Sequence, residues 1–159
     1  MMASERQLSG TMTRAGRRPE AARWVRHALK PRRPAVLVVD DDLMVREIVS
    51  VMLRRFAGVR TYRAATNAEG LRKARRYQIS VVISDIGRQK GDGFEFLEEF
   101  RREFPRIPVI ISSGQAVEDY WQRCERLGVF AFLPKGYRAE ELVKVVEEAL
   151  HSAARKARA

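Results

Sequence analysis

Five side chains of this sequence share one kind of placement: Asp40, Asp41, Asp85, Ser113 and Lys135 each stand where a short apolar run stops. AVLVV (35–39) runs into three consecutive acids, and ISVVIS (79–84) runs into Asp85. VII (109–111) ends in Ser112, Ser113 and Gly114, and VFAFL (129–133) ends in Pro134, Lys135 and Gly136. Forty-five residues separate Asp40 from Asp85, 28 separate Asp85 from Ser113 and 22 separate Ser113 from Lys135. Brought together, three carboxylates repel one another and raise each other's pKa unless a cation sits among them. Acid oxygens with water completing an octahedron suit Mg²⁺, whose usual place is at phosphate. A carboxylate is also a nucleophile toward phosphorus, giving an acyl phosphate. Phosphoryl transfer needs in-line positioning and neutralised equatorial oxygens. In this set the metal serves one oxygen, the Ser113 hydroxyl with a backbone N–H a second, and the Lys135 ammonium a third.

The elements that would gather these groups can be read from periodicity. Continuous apolar runs bounded by turn signals suit parallel strands buried on both faces, and open α/β sheets hold ligands at the carboxyl edge of their strands. Between the runs the apolar period becomes helical. Leu43 to Phe56 puts Val45, Ile48, Val49, Met52 and Phe56 inward, with Asp42 as N-cap and Gly58 as terminator. Val59 to Arg63 is a further strand, and Thr66-Asn67-Ala68-Glu69 is a capping box opening a helix to about Tyr77. Phe94 to Phe104 turns Phe96, Leu97 and Phe100 inward, and Val117 to Leu127 does so with Val117, Trp121, Cys124 and Leu127. A last helix from Ala139 to about His151 buries Leu142, Val145, Val146 and Ala149, followed by a basic fray over 152–159. Five strand–helix alternations predict a doubly wound five-stranded parallel sheet with right-handed crossovers and helices on both faces.

Composition bounds the rest. The 159 residues suffice for one domain with a real core, and no apolar stretch approaches a membrane span. The lone Cys124 excludes an internal disulfide, and the absence of an apolar segment behind Arg17-Arg18 argues against a signal peptide. A cytoplasmic location is expected. Of the net charge of +11, residues 1–34 contribute +7, from nine Lys or Arg against Glu5 and Glu20. That stretch, with three prolines, has the composition of a disordered extension. Ala21 to Lys30 within it matches a short amphipathic helix, with Trp24, Val25, Ala28 and Leu29 on one side.

VLVVDDD (36–42), VVISDI (81–86) followed by Gly93, PVIISSG (108–114) and FLPKG (132–136) together resemble the receiver domain of two-component response regulators, over about residues 35–151. The resemblance implies a flavodoxin-like strand order 2-1-3-4-5. It implies that Asp85 accepts a phosphoryl group from a histidine kinase or a histidine phosphotransfer protein. It further implies Mg²⁺ held by Asp40, Asp41, Asp85 and the backbone carbonyl of Gly87. Ser113, the Gly114 backbone and Lys135 would meet the phosphoryl oxygens, and Phe132 would stand at the aromatic position that changes rotamer on activation. No enzyme class is implied beyond assistance to the protein's own phosphotransfer and autodephosphorylation. Three departures stand out. Arg88 and Gln89 replace the family's usual Met-Pro, Lys135 precedes Gly136 where the family has proline, leaving that loop freer, and Gly87 puts no side chain over the phosphate. Water should therefore reach the acyl phosphate readily.

The chain is expected to act as a stand-alone receiver. Its output would be a protein contact on the face of the fourth helix, fifth strand and fifth helix, where Tyr120, Phe132 and Tyr137 are candidates. DNA binding is not expected, and membrane contact by the basic leader would be weak. The alternative is a scaffold or adaptor whose basic extension binds nucleic acid, membrane or a partner, with phosphorylation weak or absent.

Overall fold

The computed structural model describes residues 33–87, 93–114 and 120–158. The basic extension apart from its last two residues, Arg88, Gln89 and Val117 lie outside these. In chain order the elements are β1 (Ala35–Val39), α1 (Leu43–Met52), which continues as a π-helical turn (Leu53–Ala57), and β2 (Arg60–Ala64). Then come α2 (Asn67–Arg76), β3 (Val81–Ser84), α3 (Gly93–Glu103), β4 (Val109–Ser113), α4 (Trp121–Arg126), β5 (Ala131–Pro134) and α5 (Ala139–Arg158). All strands are parallel, in the order β2-β1-β3-β4-β5.

The unbroken apolar runs follow from a sheet covered on both sides. Alternate residues point to opposite faces. Leu37, Val39, Val82 and Ile111 therefore meet Leu71 of α2, Phe96, Leu97 and Phe100 of α3 and Cys124 of α4. Val36, Val38, Val81, Ile83 and Ile110 meet Val49 of α1, Leu53, and Leu142, Val146 and Ala149 of α5. Each fully buried Phe or Leu contributes about 2 kcal/mol, so Phe96, Phe100, Leu37, Leu97 and Leu142 carry much of the packing. Asp42 caps α1 by accepting from the N–H groups of Met44 (2.7 Å) and Val45 (3.3 Å). Thr66 caps α2 by accepting from the Glu69 N–H, while Glu69 reaches back to the N–H of Ala65.

Three readings of the helical period need correction. Ile48 and Phe56 are 48% and 58% exposed, and Leu53 is buried in their stead. Leu53 lies four residues after Val49, on the inward stripe at ordinary helical spacing, whereas the wider π turn advances each residue by less than an α-helix does, so Phe56 lags out of that stripe. Trp121 is 48% exposed because α4 starts only there, and Tyr120 packs on Phe94 instead, with ring centroids 5.5 Å apart. The final helix does not fray after His151 but runs to Arg158; Ser152 to Lys156 contain no glycine or proline to stop it.

Candidate functional site

Strand pairing brings the acids together. Val39 lies in register with Ser84, so the residues that follow them, Asp40 and Asp85, leave adjacent strands side by side. The Asp85 N–H donates to the Val39 carbonyl (3.0 Å) and the Asp40 N–H to that of Ala64 (3.1 Å). Asp40 and Asp85 are buried, at 3% and 6% exposure, while Asp41 is only half-buried. Asp40 Oδ1 accepts from the Asp42 N–H (2.9 Å), and Arg46 Nη1 donates to the Asp40 carbonyl (2.6 Å). Asp85 Oδ1 accepts from the Gly87 N–H at 2.8 Å.

Lys135 arrives from the far edge strand. β4 and β5 pair through Ser113 and Pro134, and the Lys135 N–H donates to the Ser113 carbonyl (2.8 Å). From there the Lys135 ammonium donates to Asp85 Oδ2 at 2.7 Å and to Asp40 Oδ2 at 2.9 Å. Burial alone would lower the pKa of this lysine. The hydrogen bonds to Asp85 and Asp40 outweigh it, and the pKa stands above the ordinary lysine value.

Asp40, Asp41 and Asp85 offer carboxylate oxygens all within 4.8 Å of one another. Set against the Lys135 ammonium, the three formal negative charges leave two, the charge of one divalent cation. Mg²⁺ binds hard oxygens at about 2.1 Å, so its ligand oxygens stand about 3 to 4 Å apart. The donors present fit that ion in kind and nearly in spacing.

Two features are anticipated only in part by residue type. Gly93, eight positions after Asp85, begins α3 directly against the backbone of Asp85 and Ile86, and a Cβ there would overlap the Ile86 Cα and the Asp85 carbonyl oxygen. The tyrosine after Gly136 is not a free surface residue. Tyr137 packs against the β1/β3/α5 side of the core, its hydroxyl bonded to the Ser112 hydroxyl at 3.2 Å. Burial pushes its pKa up, with the Ser112 hydrogen bond opposing. The loop expected to be freer for lack of proline is thus anchored, with Gly136 at φ +102° making a turn that side-chain-bearing residues rarely adopt.

Ser113 is fully buried at the end of β4 and Gly114 follows it, exposed. Phe132 is half-buried against the α2/α3/α4 side of the core, as is Tyr120. The structure thus unites Asp40, Asp41, Asp85 and Lys135 by contact or close approach, and sets Ser113, Gly114 and Gly87 on strand ends and loops at the same edge. Arg46, which fixes the Asp40 backbone, lacks any sequence signal beyond its place on α1.

Comparison with known proteins agrees with this arrangement. Residues 36–147 match the model of the response regulator receiver domain. The transcriptional regulatory protein GlrR of Escherichia coli (strain K12) is 31% identical over 119 residues, which are 75% of this chain and 27% of that protein. The DNA-binding transcriptional regulator NtrC of the same strain is 31% identical over 118 residues, 74% of this chain and 25% of its own. The chain thus spans about a quarter of the length of these curated relatives. Among solved structures, a CheY-like receiver domain protein from Methanospirillum hungatei JF-1 superposes with a TM-score of 0.72 at 25% identity, covering 77% of this chain and 98% of that one. By its strand order, its acid cluster and these matches, the chain belongs to the response regulator receiver domain family, the phosphoacceptors of two-component signalling.

Proposed function

We propose that Asp85 is the phosphoacceptor and that a histidine kinase or histidine phosphotransfer protein is the donor. The observation that carries this reading is the Lys135 ammonium held between Asp85 Oδ2 and Asp40 Oδ2. A buried carboxylate paired with an ammonium at the carboxyl edge of a sheet is a well-placed nucleophile. An Asp85 oxygen forms a bond to phosphorus as the donor's N–P bond breaks, and the released imidazole takes up a proton from solvent. Asp40, Asp41, Asp85 and the Gly87 carbonyl would hold Mg²⁺, which when bound supplies neutralising charge to the phosphoryl oxygens. Lys135 turns from bridging carboxylates to meeting a second oxygen, and the Ser113 hydroxyl with the Gly114 N–H a third. Phe132 then repacks, so that charge added at Asp85 is read on the α4–β5–α5 face.

A protein donor needs a surface beside the acids. Leu43, Met44, Ile48 and Val51, all about half exposed or more along α1, supply an apolar one immediately after Asp42. The test is incubation with acetyl phosphate, with and without Mg²⁺, read by intact mass. Gain of one phosphoryl group only with Mg²⁺, abolished in Asp85→Asn, is expected; no gain under either condition would refute the reading.

A further inference from the structure

In this topology every helix runs against the strands, so the C-terminal turns of all five gather at the amino edge of the sheet, opposite Asp85. Each ends in cations: Arg54 and Arg55 in the π turn after α1, Arg75 and Arg76 in α2, Arg101 and Arg102 in α3, Arg123 and Arg126 in α4, Arg155 and Lys156 in α5. Cations there complement the helix dipoles, and several are already engaged. Arg101 donates to the carbonyls of Leu127, Ile107 and Gly128, Arg75 pairs with Glu103, and Arg123 pairs with Glu98. Arg106, Arg126 and Lys156, like Arg102 and Arg155, are exposed and join no ion pair among the described residues.

These three line two neighbouring clefts. One, of about 570 Å³, has Arg106 and Lys156 on a wall otherwise mostly apolar, with Ile79, Ile107 and Leu150. The other, of about 480 Å³, lies among Arg101, Arg126, Gly128 and Lys156. Lys156 belongs to both, and among the described residues no acid lines either.

We propose that this acid-free furrow along the amino edge binds the phosphodiester backbone of a nucleic acid. Guanidinium forks match phosphate oxygens in geometry as well as charge, and Arg106, Arg126 and Lys156, spaced along otherwise largely apolar clefts, would give sequence-independent binding through phosphate contacts alone. An anionic membrane fits less well. Interfacial binding uses apolar side chains that enter the bilayer, and the large apolar residues that line these clefts, Ile79, Ile107, Leu127, Phe130 and Leu150 among them, are buried or half-buried.

The test is fluorescence anisotropy of a labelled mixed-sequence DNA duplex titrated with the full chain between about 50 and 200 mM salt. The variant is Arg106→Glu/Arg126→Glu, with Arg72→Glu/Lys144→Glu on other surfaces as the control of equal charge. Thermal melts of both establish folding, and Arg106→Gln/Arg126→Gln replaces the first if it does not fold. At least about a tenfold loss of affinity and a salt slope shallower by about two are expected for the furrow variant, with the control much closer to wild type. Equal losses in the two variants, no loss in either, as binding through the intact residues 1–32 would give, or no binding by wild type would overturn the proposal. So would tighter, furrow-dependent binding to phosphatidylserine vesicles or to polyglutamate, which would reassign the furrow to a membrane or an acidic protein segment.

Discussion

Lys135 holds the site together before any phosphoryl group arrives, because it is the cation that lets Asp40 and Asp85 be buried side by side. Replacing it with methionine leaves two buried carboxylates facing each other, and a loss of about 1–3 kcal/mol is expected at neutral pH. Urea unfolding should show it, and added Mg²⁺ should shrink the deficit, since the ion takes over the missing charge. The pH dependence has a definite sign. A lysine whose pKa is raised in the fold contributes fully below its unfolded value and loses that contribution as pH rises through the higher folded one. The gap between wild type and Lys135→Met should therefore hold from neutral pH to about pH 10 and close above it. Gly87 is exposed two positions after Asp85, the proposed acceptor, and would leave an acyl phosphate there open to water. A large residue such as Gly87→Met should lengthen its lifetime severalfold in a decay assay, and an unchanged rate would mean that water comes from elsewhere. At this scale the acids and the lysine were legible because charge at the end of a buried apolar run is out of place unless used. The second contact of Lys135, to Asp40, was not, since a sequence shows which side chain reaches an edge but not how many partners it finds there.

The elements that carry these residues were legible wherever they were buried on both faces. The four apolar runs became β1, β3, β4 and β5, and the caps at Asp42 and Thr66 formed as their residue types indicate. What failed rested on an assumed 3.6-residue period: a π turn after Met52 turned Phe56 outward, and the late start of α4 left Trp121 exposed. The approach of α3 to the end of β3, which carries Asp85, is the sharpest constraint at this scale. Gly93→Ala should reduce stability by about 1–3 kcal/mol through overpacking and slow phosphoryl uptake, because the Asp85 backbone must move to admit the methyl group. Full activity in that variant would show the α3 terminus to be freer than it stands. The Ser112–Tyr137 hydrogen bond ties β4 to the loop after Lys135. Tyr137→Phe should cost about 1 kcal/mol and Ser112→Ala in that background little more. A double-mutant cycle in urea checks this, with additivity counting against the link.

Over the whole molecule, charge is sorted by edge in a way that a net value conceals. Residues 35–159 balance at only +4, yet the carboxyl edge collects Asp40, Asp41, Asp42 and Asp85 while the helix C-termini send their cations to the other. The sorting follows from topology, which a sequence shows only once strand order is fixed. Among the described residues no helix is long and apolar enough to cross a membrane. All the proposed site residues lie between Asp40 and Lys135, so removal of residues 1–32 should leave the rate of phosphoryl uptake unchanged even where it alters the binding of partners. The central claim is that one carboxylate, Asp85, becomes the acyl phosphate. The most direct measurement is to phosphorylate the full chain with acetyl phosphate and Mg²⁺, reduce the acyl phosphate with borohydride and locate the reduced residue by peptide mass mapping. Reduction at Asp85 is the expected result; reduction at Asp40 or Asp41 instead, or at no residue while the chain is shown to bind Mg²⁺, would contradict it.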